Sequence, residues 1–119
     1  MKSIKIPAKT EYDFESDIFY ARPINRKYFS SFHRGEFVFD IDDDKKVVGF
    51  EIINASKVFG VPKLFLKNPE KMLIEVVVSE TSIFVKISIR QSSKRITSLA
   101  VEKIKPNFLK PTEMSLAVV

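Results

Sequence analysis

Asp40, Asp42, Asp44 and Glu51 stand at positions 1, 3, 5 and 12 of a calcium-loop spacing. Hard cations take carboxylate oxygens, so the residue types suit that chemistry. The loop also requires glycine at position 6 for its sharp turn, and here positions 6 and 7 are Lys45 and Lys46. The flanking residues alternate like strands instead of carrying a helical period. The plainer reading is a solvated hairpin turn. A looser divalent site needs Glu11, Asp13, Glu15 and Asp17 to approach this turn.

His33 is the single histidine, with Ser30 and Ser31 close in sequence. A nucleophilic triad needs a third group that holds the base in place, and none is indicated. P-loop, dinucleotide and HExxH signatures are absent, so catalytic residues and cofactors are not expected. Residues 18–35 offer a different chemistry. They hold Arg22, Arg26, Lys27 and Arg34 without an acid, interleaved with Tyr28, Phe29 and Phe32. Bases stack on aromatic rings while cations meet phosphates, and Lys86, Arg90, Lys94 and Arg95 could extend such a surface. The plainer reading places the aromatics in the core and the cations in water.

Residues 1–60 contain ten Lys/Arg and ten Asp/Glu, whereas residues 61–119 contain ten and five, so the whole net charge of +5 lies in the second half. That half could face a polyanion, or its lysines could simply keep the surface solvated. Cysteine is absent, which excludes disulfides, thiolate catalysis and thiolate-held metals. No apolar run approaches the roughly 18 residues that span a bilayer, and the N-terminus lacks an apolar signal core. A cytoplasmic location without membrane contact is the expectation.

The elements that must position these residues read mainly as strands. Ser3–Ile6 alternates and meets Pro7, which predicts a short edge strand. Strands follow at 18–21 and 28–32. Phe37, Phe39 and Ile41 share one face, as do Val48, Phe50 and Ile52 after the acidic turn, which predicts a hairpin with one buried side. Asn54 is placed to cap a helical turn that Gly60 can end, and a second short piece runs from Val61 to Phe65. Runs 72–78, 82–90 and 96–104 form an antiparallel meander, with Leu99 and Val101 on one side of the third strand. Residues 114–119 are apolar and must pack, pair as a last strand, or join another chain.

Two blocks of the chain resemble a family of short prokaryotic proteins, domain of unknown function 2283. The first is Tyr12-Asp13, Glu15, Asp17 and Tyr20. The second is Val38, Asp40, Asp42, Asp44, Val48-Gly49, Glu51-Ile52 and Ala55-Ser56. Together they cover roughly residues 10–60. The resemblance implies a small β-meander followed by a short helix, and an antitoxin-like interaction module.

These observations predict one mainly β (α+β) domain over residues 1–119, with antiparallel meander sheets in two sub-sheets and one or two short helices near residues 54–67. The expected function is a non-catalytic protein–protein interaction module whose partner is another protein or a second copy. Its expected contact surfaces are residues 114–119 and any open sheet edge. Nucleic-acid binding through Arg22, Arg26, Lys27, Tyr28, Arg34, Lys86, Arg90 and Arg95 is the alternative. A third reading is a metal-binding or hydrolytic protein using the acidic clusters.

Overall fold

The acidic segment 42–46 is a hairpin turn. It joins β4 (Phe37–Ile41) to β5 (Val47–Ile53), which pair antiparallel. Phe37, Phe39, Ile41, Val48, Phe50 and Ile52 are all buried, as the period-two stripes require. A bulge between Asp40 and Ile41 pairs Asp40 with Gly49 and Ile41 with Val47. Val48 is the unpaired extra residue; Val47, opposite Ile41, joins the core cluster. The computed structural model containing this hairpin describes residues 5–24, 27 and 30–118. Ser3 and Ile4 of the expected first strand, Arg26, Tyr28 and Phe29 of the basic–aromatic segment, and Val119 lie outside the described residues.

The remaining elements are β1 (Lys5–Asp13), β2 (Ile18–Pro23), β3 (Ser30–Arg34), α1 (Ala55–Phe59), α2 (Lys63–Lys67), β6 (Lys71–Val78), β7 (Ile83–Gln91), β8 (Lys94–Glu102) and β9 (Thr112–Val118). The described strands form one sheet in the order β3-β4-β5-β2-β1-β9-β6-β7-β8. The β6–β7–β8 meander has the expected pairing. The chain is mainly β, with two short helices.

Three expectations are corrected. The first strand is not a short edge piece. It runs through Pro7 to Asp13 and lies inside the sheet, between β2 and β9. Pro7 is tolerated there because its carbonyl, and hence the position of its missing N–H, points toward Ile24, just past the β1–β2 ladder that begins at Ala8–Pro23. The C-terminal residues are not a free contact tail: β9 pairs parallel with β1 and antiparallel with β6. That insertion also merges the two expected sub-sheets into one.

Buried residues from both halves of the sheet form a single cluster, including Phe19, Phe39 and Phe50 from one half and Ile74, Ile87 and Leu116 from the other. The inner face is therefore curled onto itself. The helices close the gap: α1 touches β5 and β8, while α2 touches β1 and β7. Ala55, Phe59 and Leu66 are the residues they bury. Among the described residues, no helix is long and apolar enough to cross a membrane.

Candidate interaction surface

The calcium-spaced carboxylates do not converge. Asp42, Asp43 and Asp44 lie together at the exposed turn, and among the described residues they are the only group of three with metal-ligand proximity. Asp42 Oδ1 already accepts the backbone N–H groups of Asp44 (2.9 Å) and Lys46 (3.0 Å), so it shapes the turn itself. Asp40 is buried on β4, where its Oδ1 accepts a 3.0 Å bond from Ser31 Oγ. Glu51 sits on the outer face of β5 in one cross-strand row with Val38 and Tyr20. A strand pair replaces the loop that would have gathered these oxygens.

Nor do the two acidic clusters meet as a site. Glu11, Asp13, Glu15 and Glu51 border an open depression of about 890 Å³ that Arg22 and Lys67 also line. Asp17 turns away from them into the fold. Its backbone is left-handed (φ 57°), and its carboxylate accepts three bonds. These come from Tyr12 Oη (2.5 Å), the Ser56 N–H (3.0 Å) and Ser56 Oγ (2.6 Å). Burial alone would raise the Asp17 pKa. The bonds from Ser56 and Tyr12, with the nearby Lys63 charge, outweigh it and hold the carboxyl below its ordinary value. Burial, followed by the bond to Asp17 and the neighbouring negative charges, pushes the Tyr12 hydroxyl well above its ordinary value. Asp13 is held low mainly by the Ser16 N–H, in a turn that also uses the Glu15 N–H.

This knot corrects the expected cap of α1. Asn54 is left-handed and its side chain makes no capping bond; it donates instead to Glu36 Oε2 at 2.9 Å. Asp17 supplies the acceptors instead: its backbone carbonyl receives the Ala55 N–H at 2.9 Å, and its carboxylate receives the N–H of Ser56, 39 residues later in the chain. Gly60 ends the helix in the left-handed conformation, as expected.

The basic candidates divide into separate groups. Arg22 is on the outer face of β2, its guanidinium 5.0 Å from the Tyr20 ring centre. Lys27 is exposed, and Arg34 ends β3 at the opposite side of the sheet from β7 and β8. Lys86 and Arg90 are 3.9 Å from Glu75 and Glu70, respectively. Arg90 and Arg95 oppose each other, with Lys71 next in the same row. Phe32 is committed to Phe39 and Phe108 rather than to a stacking surface. His33 is exposed, with its Nε2 2.8 Å from the Gly35 carbonyl, while Ser31 bonds Asp40 directly. Serine, histidine and aspartate therefore form no relay.

The outer side of β8 is the feature the sequence pattern hid. Leu99 and Val101 share one side of the strand as expected, but that side is solvent: they are 53% and 38% exposed. Ile96, Ser98 and Ala100 face inward, with Ser98 Oγ bonded to the Phe59 carbonyl of α1. Half-buried Phe84 and Val77 continue the row from Val101 across β7 and β6. β8 is also an edge of the sheet, nine residues long. Among the described residues, no main-chain bond from another segment reaches its outward side. The only signal in the sequence was the apolar alternation, which cannot say which of two faces is covered.

A family model described as protein of unknown function (DUF2283) matches residues 9–56. That segment runs from β1 into the first turn of α1, and so contains Tyr12, Asp17 and Ser56. The chain is 31% identical over 98 residues to a Methanosarcina mazei protein named "putative hypoxanthine phosphoribosyltransferase", covering 81% of this chain and 80% of that one. It is 38% identical over 61 residues to an uncharacterized protein of Methanocaldococcus jannaschii, covering 50% of this chain and 53% of the relative. No solved structure matches the chain.

Proposed function

Residues 9–56 of this chain match the family of unknown function 2283, and we propose that the chain is a non-catalytic interaction module that receives a protein partner along β8 and the apolar outer face beside it. The observation that carries this reading is the nine-residue open edge with Leu99 and Val101 exposed on it. An edge strand presents a row of main-chain groups that another strand can complete, and adjacent apolar side chains give the contact area. The antitoxin-like role implied by the family resemblance would use the same edge for a small toxin.

The edge can be disabled without disturbing its pairing to β7. A proline at Thr97 removes an outward N–H, and edge strands tolerate proline there. Wild type and Thr97→Pro, each immobilised, are compared for the proteins they retain from an extract of their own cell. A protein held by wild type and released by Thr97→Pro supports the reading. Identical retention removes β8 from it.

Nucleic-acid binding is the second reading, supported by the row Lys71–Arg90–Arg95. It predicts anisotropy-detected binding that weakens with salt, with a slope near −3 or shallower in log–log form if about three phosphates are met. The name of the Methanosarcina relative describes a transfer that releases diphosphate. The depression beside β1 and β2 offers four carboxylates to two cations, a poor electrostatic match to that group. Diphosphate release from hypoxanthine and phosphoribosyl diphosphate tests this directly.

A further inference from the structure

The geometry of β8 points to a specific partner: the β8 of a second copy, paired antiparallel about a two-fold axis at Ser98. This proposal rests on the interaction-module reading and assigns its partner and register.

The direction of the main-chain groups follows from the hairpin that precedes β8. Strands β7 and β8 are joined by the two-residue turn Ser92-Ser93, with Ser92 left-handed (φ 56°) and Gln91 opposite Lys94. In such a hairpin the residues flanking the turn exchange both of their hydrogen bonds, and the pattern then alternates along the ladder. Lys94, Ile96, Ser98, Ala100 and Glu102 therefore bond inward to β7. Arg95, Thr97, Leu99 and Val101 present their N–H and C=O groups outward.

A second β8 laid antiparallel about Ser98 meets this pattern without remainder. Thr97 faces Leu99 of the other copy and Arg95 faces Val101. These are the residues with outward main-chain groups, so each such pair can exchange both hydrogen bonds. Between them fall Ile96 opposite Ala100, and Lys94 opposite Glu102. The last pairing occurs twice by symmetry and sets opposite charges across the new ladder. The strand is thus charge-complementary to its own reversed copy: basic Lys94 begins it and acidic Glu102 ends it. Shifting the register separates these charges and leaves outward groups unpaired. On the outer face, Leu99 and Val101 of each copy would lie beside Thr97 and Arg95 of the other, with Phe84 and Val77 continuing the apolar row on both sides. The interface is isologous and closes as a dimer, so it need not propagate into a fibre.

Sedimentation velocity from about 1 to about 300 μM, the range that brackets weak dimers, tests the proposal. Wild type is expected to pass from monomer to dimer, and Thr97→Pro to remain monomeric. Glu102→Lys sets like charges together at both symmetric positions and should weaken the dimer about tenfold. The double variant Lys94→Glu/Glu102→Lys restores the pairs in reverse and should recover affinity to within about threefold. Wild type that stays monomeric throughout overturns self-pairing. So does a dimer that the charge reversal does not weaken or the double reversal does not rescue, and these outcomes do not depend on Thr97→Pro folding. If wild type is monomeric yet still loses a captured protein on Thr97→Pro substitution, self-pairing falls while the broader module reading stands.

Discussion

Replacing Asp17 with alanine should be among the most damaging single changes in the first half of the chain. The carboxylate is 7% exposed and accepts bonds from Tyr12 Oη, the Ser56 N–H and Ser56 Oγ. Bonds to a charged acceptor contribute about 1.5–3 kcal/mol each, but the partly buried donors would recover some water after the change. Alanine must also hold the left-handed backbone of this position, which costs about 1 kcal/mol or more. A net loss of about 3–4 kcal/mol is a reasonable sum, a large share of the roughly 5–15 kcal/mol that holds a domain together. For 119 residues the unfolding entropy is about 250 cal/mol/K, so Tm should fall by about 12–16 °C. Calorimetry measures this directly. Asp17→Asn, whose side chain tolerates the left-handed region, separates the backbone cost from the lost charge. A double-mutant cycle with Ser56→Ala should show strong coupling, because the second change removes the hydroxyl donor that the first has already orphaned. A loss below about 1 kcal/mol, or additivity within about 0.5 kcal/mol, would refute the claim that this knot ties β1 and α1 together.

The same knot fixes a pH dependence. Asp17 is depressed in the fold, so its stabilisation is complete above its unfolded pKa of about 3.9 and is lost as pH falls through the lower folded value; the Tm gap between wild type and Asp17→Asn should close there. Tyr12 is raised, so stability should decline as pH rises above about 10, and Tyr12→Phe should remove that alkaline decline in a Tm-against-pH series. Gly49→Ala should destabilise by about 1–3 kcal/mol in urea titration, since its Cβ would lie 3.0 Å from the Ala21 carbonyl and 3.1 Å from Asp40 Oδ2. Millimolar Ca²⁺ or Mg²⁺ should leave Tm within about 1 °C, because the inner oxygen of Asp42 is occupied by its own turn; a larger rise would establish a native-state cation site.

Several local features of the fold were legible without coordinates. The stripes Phe37–Phe39–Ile41 and Phe50–Ile52 predicted both a hairpin and its buried side, because alternation and turn chemistry act over a few residues. Gly60 marked a helix end for the same reason. The candidate site was less legible. The calcium spacing measured distance along the chain, but in a hairpin that distance doubles back, and Asp40 and Glu51 went to different surroundings. Among the described basic residues, Arg34 lies on β3 at one end of the strand order and Arg90 and Arg95 on β7 and β8 at the other, a separation that composition does not reveal.

The sequence by itself determined where strands and breaks fall, since those follow from side-chain period, β-branching and residues such as Gly60 and Pro62 that act on their own backbone. The tertiary structure alone decided that β9 enters between β1 and β6, that Asp17 rather than Asn54 caps α1, and that Leu99 and Val101 face water. Each of these depends on which distant segment arrives at a given face or edge. A period of two declares that a strand has two faces, but only the packed neighbours settle which one is covered and which edge is left open.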